Sequence, residues 1–265
     1  MDENRPAHSA DMPAYHAVAV VDVERFTAIA SAYQPRVHGL ITEVLEDAFG
    51  RAGLAEQWAD RRFPSSTGDG YIAGISTAKL PTLIDPFIDE LQNALTEADR
   101  TLRAIDRTLR MRMRLSIHVG PLGTEGIGTP MNDTHRLLDS APVRTLLQTT
   151  QPDTTFLAAI VSDRAFEDAV AGGYTRLPRE AFRPVTATVA HKDFAEKAWL
   201  YVPMPTYSGE DQLSAPEPEK APGGTPGGQA PAVRNDFSGS GNQGSVIQAA
   251  KIGHIHGRPG GKEER

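Results

Sequence analysis

The chain has 265 residues, 27 Lys and Arg against 34 Asp and Glu, and a formal net charge of −7. This length supports one substantial hydrophobic core with residues to spare, and the acidic balance argues against nucleic-acid binding, which needs a surface attractive to phosphates. The sequence has no cysteine, which excludes disulfides and cysteine-bound zinc, and no apolar run suits a secretory leader or a membrane span, so we expect a soluble, cytoplasmic protein without a membrane partner.

Composition divides the chain into five regions. From residue 14 to 204, apolar residues recur with regular periods, which indicates a folded domain. Residues 1–13 are polar and predicted to be disordered, and residues 205–234 are rich in proline and glycine, as in flexible linkers. Residues 235–257 regain β-forming side chains between glycines, and residues 258–265 form a polar tail.

The sequence of the first half of the domain predicts a strand, a helix and a hairpin. Residues 15–23 form a nearly continuous apolar run, typical of a buried strand, and apolar residues recur at helical spacing from 29 to 50. A hairpin is predicted because two strand-like runs, at 62–63 and 71–75, flank the turn residues Gly68-Asp69-Gly70.

The second half completes the predicted sheet. A second amphipathic helix is predicted at 80–102, with Pro86 as a kink or an early start. The clearest strand, 111–119, alternates apolar residues with Arg112, Arg114 and other polar residues, a face we expect to be salt-bridged or subunit-facing. The remaining predicted elements are helices at 132–147 and 163–170 and strands at 155–161, 185–191 and 198–202. The order βαββαβ, with additions at its end, predicts an α+β, ferredoxin-like sheet with helices on one face.

Two aspartates stand where strands end. Asp22 closes the first predicted strand, and Asp69 lies at the tip of the hairpin. Carboxylates presented from such positions can share divalent cations, which phosphoryl and nucleotidyl transfer need. Each aspartate taken alone is also explained as an ordinary turn residue, because Asp and Gly favour turns for backbone reasons.

Four motifs in order resemble the catalytic domain of class III nucleotidyl cyclases, over about residues 14–203. They are Val21-Asp22-x-x-x-Phe26-Thr27, Gly68-Asp69-Gly70, Arg114-Leu115-Ser116-Ile117-His118-Val119-Gly120 and Asn132-x-x-x-Arg136-Leu137. The resemblance implies the class III cyclase catalytic fold and the conversion of a nucleoside triphosphate to a 3′,5′-cyclic nucleotide and pyrophosphate. It also implies a homodimer, with each site built across the subunit interface. The alternative is a catalytically inactive, cyclase-like module that binds nucleotide or dimerises and acts as an adaptor through its C-terminal motif.

The resemblance assigns metal and phosphate roles to the first two motifs. It implies that Asp22 and Asp69, with Val23, hold two Mg²⁺ or Mn²⁺ ions that activate the ribose 3′-hydroxyl and steady the triphosphate. The backbone from Val23 through Phe26 and Thr27 is expected to offer N–H groups to the phosphates, at the start of the following helix.

The resemblance assigns the transition-state groups to the fourth motif. It implies that Asn132 orients the ribose and that Arg136, one helical turn away, stabilises charge on the α-phosphate. Lys192 is aligned loosely with a lysine that grips the triphosphate, and Lys197 competes for that role. His118 is interpreted as a strand residue facing a helix.

Three positions depart from the family pattern. Ser65, four residues before Asp69, stands where adenylyl enzymes usually have lysine, and Glu125, seven before Asn132, stands where they often have aspartate or threonine. Glu125 only accepts hydrogen bonds, so it favours a base edge rich in N–H donors and leaves the base open. His135 stands where the family prefers a small residue.

The tail carries a separate signal. Residues 235–257 have little charge and no proline, which is typical of segments that stack as cross-β. Val246-Ile247-Gln248-Ala249 resembles bacterial amyloid signalling motifs related to the RIP homotypic interaction motif, although Ala250 replaces an expected glycine. The resemblance implies assembly with proteins that carry a matching motif; a tail without function is the alternative.

Overall fold

The structure is a computed structural model, and it describes residues 9–190 and 193–205. The predicted linker beyond residue 205, the assembly motif at 235–257 and the polar tail lie outside the described residues. So do residues 1–8 of the predicted disordered N-terminus, and Lys192. In the described part of the chain, no helix is both long enough and apolar enough to cross a membrane.

One seven-stranded sheet organises the described residues, with the strand order β2-β3-β1-β4-β5-β7-β6. Neighbouring strands are antiparallel except β4 and β5, which run parallel. The strands are β1 (Tyr15–Val23), β2 (Arg62–Ser66), β3 (Gly70–Ser76), β4 (Met113–Pro121), β5 (Leu157–Ser162), β6 (Arg183–Thr188) and β7 (Ala195–Tyr201). The first four strands have the ferredoxin-like order, so the predicted α+β fold class is confirmed.

Seven α-helices connect these strands in the described ranges. They are α1 (Gln34–Arg51), α2 (Ala55–Ala59), α3 (Leu80–Ile84), α4 (Phe87–Ile105), α5 (Thr129–Asp139), α6 (Ala141–Thr149) and α7 (Asp163–Phe166). The last of these continues as a π-helical turn at Glu167–Ala171.

The two faces of the sheet are covered differently because side chains alternate along a strand. On one face, Ala17, Ala19 and Val21 of β1 belong to the main core with residues of α1 and α4. The two long helices therefore share one face of the sheet, as predicted, while α5 lies on the other. On the other face, Val18 and Val20 pack in a smaller cluster with residues that include Leu138 of α5. This second face carries the site described below.

Prolines explain two departures from the predicted elements. The helix predicted at 80–102 is divided into α3 and α4, because Pro86 stands between them and has no N–H to donate. The helix predicted at 132–147 is divided into α5 and α6, with Pro142 in the first turn of α6, where a missing N–H costs least. Other elements shift by a few residues, and β1 has the predicted bounds.

Candidate functional site

The end of β1 brings the two predicted metal-site aspartates to one corner of the sheet. Asp22 lies between Gly70 of β3 and Arg114 of β4 in the strand register. Asp69 directly precedes β3, and its carbonyl accepts a hydrogen bond of 2.8 Å from the amide of Val23. A Cβ at Gly70 would stand 2.3 Å from the carbonyl oxygen of Val21, so only glycine permits this close approach of the hairpin to β1.

The guanidinium of Arg114 makes two hydrogen bonds to the carboxylate of Asp22. Its Nε donates to Oδ1 of Asp22 at 2.8 Å, and its Nη2 donates to Oδ2. The two side chains are only 13% and 17% exposed. Burial raises the pKa of Asp22 to about 6; Arg114 opposes this rise and nearby Asp69 adds to it. Arg114 thus forms a salt bridge, as predicted for the arginine face of this strand. The alternating pattern of the strand does not identify Asp22 as its partner.

The turn after β1 is fixed by a second buried arginine. The amide of Glu24 donates to the carbonyl of Arg112 at 2.8 Å, and Nη1 of Arg112 donates to Oε2 of Glu24 at 2.9 Å. Arg112 also donates to the carbonyl of Thr155 and the hydroxyl of Thr150. The amides of Val23 and Glu24 are thus already engaged, so a phosphate at this turn would be bound by the amides that follow them.

Phe26 and Thr27 lie in a short 3₁₀ turn, Phe26–Ala28, beyond that anchor. Phe26 is half-buried against the main core, whereas Thr27 is exposed. Arg25, just before the turn, has a φ of 56°, in the left-handed region. The backbone N–H groups predicted to meet phosphates therefore sit on a turn that the Arg112–Glu24 pair and the Phe26 side chain hold in place.

The donor set at this corner suits magnesium or manganese. Asp22 and Asp69 are close enough for the charge of Asp69 to raise the pKa of Asp22, and Arg114 is the cation in contact with Asp22 in this structure. Among the described residues, no group of three or more His, Cys, Asp or Glu side chains is arranged to hold a metal. Mg²⁺ commonly uses one or two carboxylates together with substrate phosphates rather than a full protein cage. The residues present fit that mode of binding.

Asn132 and Arg136 lie one turn apart on α5. Asn132 is exposed, while Arg136 pairs with Asp133 at 3.2 Å and stands over the ring of Phe194 at 5.6 Å. The hydroxyl of Ser116 in β4 donates to the carbonyl of Thr134 at 2.8 Å and fastens the helix to the sheet. Within the described residues, no hydrogen bond or ion pair links Asn132 or Arg136 to the aspartate corner.

The segments that carry Ser65 and Glu125 are neighbours. Ser65 is exposed on β2, and Glu125 is exposed in the loop between β4 and α5. Gly126 in that loop has a φ of +67°, and a Cβ there would stand 2.6 Å from the ring of Phe63. The loop with Glu125 therefore packs beside the strand with Ser65, and the role of these two residues in base recognition stays a prediction.

The alternative lysine has another partner. Lys197 places its Nζ 2.9 Å from Oδ1 of Asp163 and 5.1 Å from the ring centroid of Trp199. These contacts hold it at the side of β7. Lys192, which the sequence favours for the triphosphate, lies outside the described residues.

His118 faces a helix, as predicted. It lines a cleft of about 460 Å³ between α5 and the end of the sheet, together with Asp133 and Phe194, the neighbours of Arg136. Burial lowers the pKa of His118, so the ring is neutral near pH 7. Its buried Nδ1 has no hydrogen-bond partner among the described residues.

No protein-family model and no curated protein matches the chain. Several solved structures do. An adenylate/guanylate cyclase/hydrolase from Silicibacter pomeroyi is 20% identical, with a TM-score of 0.48 over 72% of this chain and 98% of that one. The guanylyl cyclase Cya2 is 16% identical, with a TM-score of 0.47 over 76% and 96% of the two chains. The adenylyl cyclase CyaB from P. aeruginosa is 13% identical, with a TM-score of 0.47 over 71% and 93%.

Proposed function

We propose that this protein is a nucleotidyl cyclase, which converts a nucleoside triphosphate to a 3′,5′-cyclic nucleotide and pyrophosphate. The observation that carries the proposal is the meeting of Asp22 and Asp69 at one corner of the sheet. The accessible pair Asn132 and Arg136, one turn apart on α5, supports it. These are the two kinds of group that intramolecular attack on an α-phosphate requires.

Asp22 and Asp69 would hold the two divalent cations, with the backbone at Val23 beside them. When bound, such cations neutralise the triphosphate and make the 3′-hydroxyl a better nucleophile. The protein's own part is to present two carboxylates on rigid strand ends. It also offers backbone N–H groups at Phe26 and Thr27 to the phosphate oxygens.

Asn132 and Arg136 would act on the sugar and the reacting phosphate. The Asn132 amide can donate and accept, so it can fix the ribose with its 3′-hydroxyl facing the α-phosphorus. The Arg136 guanidinium would stabilise the negative charge that grows on the α-phosphate and the departing pyrophosphate. The ion pair with Asp133 and the ring of Phe194 restrict where that guanidinium can point.

A homodimer would complete each site. Asn132 is exposed on its helix, and in the described part of the chain it makes no polar contact with the aspartate corner. A second copy can therefore present its Asn132 and Arg136 to the Asp22 and Asp69 of the first. In a two-fold dimer this arrangement produces two equivalent sites.

Base selection would rest on Glu125 and Ser65. Glu125 accepts hydrogen bonds, so it can read the amine of adenine or cytosine, or the N1–H and amine of guanine. Ser65 can donate or accept. The proposal therefore names a nucleoside triphosphate as substrate and leaves these bases as alternatives.

The experiment is incubation of the purified protein with all four ribonucleoside triphosphates and Mn²⁺, with the products identified by mass. The proposal expects a cyclic monophosphate and an equal amount of pyrophosphate from at least one substrate. The Asp69→Asn variant is the control for a contaminating activity. Linear monophosphates or diphosphates alone, or no product from any substrate, would contradict the proposal.

A second candidate is an inactive cyclase-like adaptor that binds nucleotide or dimerises. Arg114 engages both oxygens of Asp22, which favours it, as do the unusual residues Ser65, Glu125 and His135. This candidate predicts saturable nucleotide binding, or dimerisation alone, without any cyclic product in the same assay.

A further inference from the structure

We infer that Arg114 serves as an internal cation that competes with a divalent metal ion for Asp22. This inference rests on the proposed function, because it takes Asp22 and Asp69 as the cation-binding carboxylates. It assigns to Arg114 the role of a positioning residue that sets how tightly the site holds its cations and makes the two carboxylates unequal.

The contact geometry is the first support. A guanidinium matches a carboxylate in two parallel hydrogen bonds, and Arg114 makes both of them to Asp22. Each carboxylate oxygen has two lone pairs, so this grip uses one on each oxygen. A cation that needs both oxygens of Asp22 must share them with Arg114 or displace it.

Charge is the second support. The Asp22–Arg114 pair is mostly buried, and charges interact more strongly there than in water. Arg114 is the only described residue that makes an ion pair with Asp22, whereas the more distant Arg144 acts on it through space and pairs with Asp139. A divalent ion placed at Asp22 would therefore meet a fixed positive charge in direct contact with its ligand.

The third support is the contrast with Asp69. Its side chain makes no hydrogen bond or ion pair among the residues that the structure describes, so one carboxylate of the corner is open and the other is held. A cation can reach Asp69 directly, whereas at Asp22 it must share the carboxylate oxygens with Arg114 or displace it. Coupling of this kind is reciprocal: cation binding weakens the ion pair as much as the ion pair weakens cation binding.

The experiment is a Mn²⁺ titration of the full-length, nucleotide-free protein, in which the free ion is measured by its electron paramagnetic resonance signal. Coupling between two binding events is typically about 5–150-fold in affinity, and Arg114→Gln should bind Mn²⁺ about tenfold more tightly than the parent. Arg114→Lys keeps the positive charge but loses the paired hydrogen bonds of the guanidinium, so its Mn²⁺ affinity should lie between those of the parent and Arg114→Gln. Arg144→Gln, which removes a charge without a direct contact, is the matched control and should stay close to the parent.

Two results separate failure of this inference from failure of the proposed site. If Asp22→Asn weakens Mn²⁺ binding but Arg114→Gln and Arg114→Lys do not tighten it, the competition is wrong and the metal site stands. If Asp22→Asn and Asp69→Asn both bind Mn²⁺ as the parent does, the metal site is wrong and the inference falls with it. Because Arg114→Gln leaves a buried carboxylate without its partner, its melting temperature is measured as well. If Arg114 competes with the cation, Mn²⁺ should raise the melting temperature of Arg114→Gln more than it raises that of the parent. An equal or smaller rise would overturn the inference.

Discussion

At the level of single residues, the environment of the Asp22 carboxylate determines the properties of the site. Asp22 sits at the end of a buried strand, is gripped by Arg114 and is repelled by Asp69. An aspartate that merely closed a turn would be solvated and would gain little from either neighbour. The concentration of charge at a rigid strand end is typical of functional positions.

Replacement of either aspartate should abolish turnover while the fold survives. Asp22→Asn and Asp69→Asn keep the size of the side chain but remove the charge that would hold a cation, so we expect cyclic nucleotide formation to fall by about a hundredfold or more. Product formation is measured beside circular dichroism and dimer mass. Parental activity in folded Asp69→Asn would rule out the two-carboxylate site.

The raised pKa of Asp22 predicts a specific pH dependence of stability. Its pKa is about 6 in the folded chain against an ordinary value of 3.8, so the folded state holds this proton more tightly than the unfolded state does. The contribution of Asp22 to stability is therefore fully present below pH 4 and is lost as the pH rises through 6. Thermal unfolding of the metal-free protein and of Asp22→Asn, from pH 4.5 to 7.5, tests this. As the pH rises, the melting temperature of the parent should fall relative to that of Asp22→Asn, because asparagine does not ionise. A difference that stays constant with pH would contradict the prediction.

At the scale of elements, the sequence predicts most of the fold because the signals are local. The apolar run of β1, the glycine-flanked hairpin and the alternation in β4 each report the environment of one segment. The break between α5 and α6 also has a local signal, because Pro142 falls inside the helix predicted at 132–147, where a proline ends or kinks a helix. The placement of α5 on the second face depends on tertiary packing.

The difference between local sequence signals and long-range contacts applies to the site as well. Asp22, Asp69, Asn132 and Arg136 are identified by short motifs, and the structure shows the positions of their segments. The Arg114–Asp22 ion pair and the anchoring of Glu24 by Arg112 join residues 92 and 88 positions apart. Such pairs follow from strand register, which no single-segment pattern contains.

Gly70 offers a test of the corner at this scale. Gly70→Ala would place a methyl group 2.3 Å from the carbonyl oxygen of Val21, so the hairpin that carries Asp69 must move away from β1. We expect a loss of about 1–3 kcal/mol in the free energy of unfolding. Gly39→Ala in α1 is the control, since nothing lies within 4 Å of the new atom and the change should stabilise the helix by roughly 0.5–1 kcal/mol. Urea denaturation measures both, and equal effects would mean that the close approach at Gly70 is unimportant.

At the scale of the whole molecule, the chain joins a folded domain to a tail of different composition. The tail, at 235–257, lies outside the described residues, and its role as a homotypic assembly motif remains a prediction from sequence. The preceding linker has too little apolar content to pack on the domain, so we expect the motif to act as a tethered module.

A synthetic peptide of residues 236–257 tests that module alone. In-register stacking would place Val246, Gln248 and Ile252 in ladders between successive chains, and the peptide should form fibrils that bind thioflavin. Gln248→Pro should abolish them, because proline removes a backbone donor from the ladder. In the full-length protein, cleavage after Thr206 should abolish higher-order assembly and leave the dimer. A wild-type peptide that stays monomeric at high concentration would support a tail without function.

In the proposed dimer, each site combines the aspartates of one chain with Asn132 and Arg136 of the other. The most direct test of this arrangement mixes two inactive variants, Asp22→Asn and Arg136→Ala, after subunit exchange has been verified by mass. The heterodimer contains one site with both defects and one site with neither, so mixing should restore cyclic nucleotide formation to about half the parental rate per heterodimer. Mixed dimers that form in full and remain as inactive as either variant alone would contradict this arrangement.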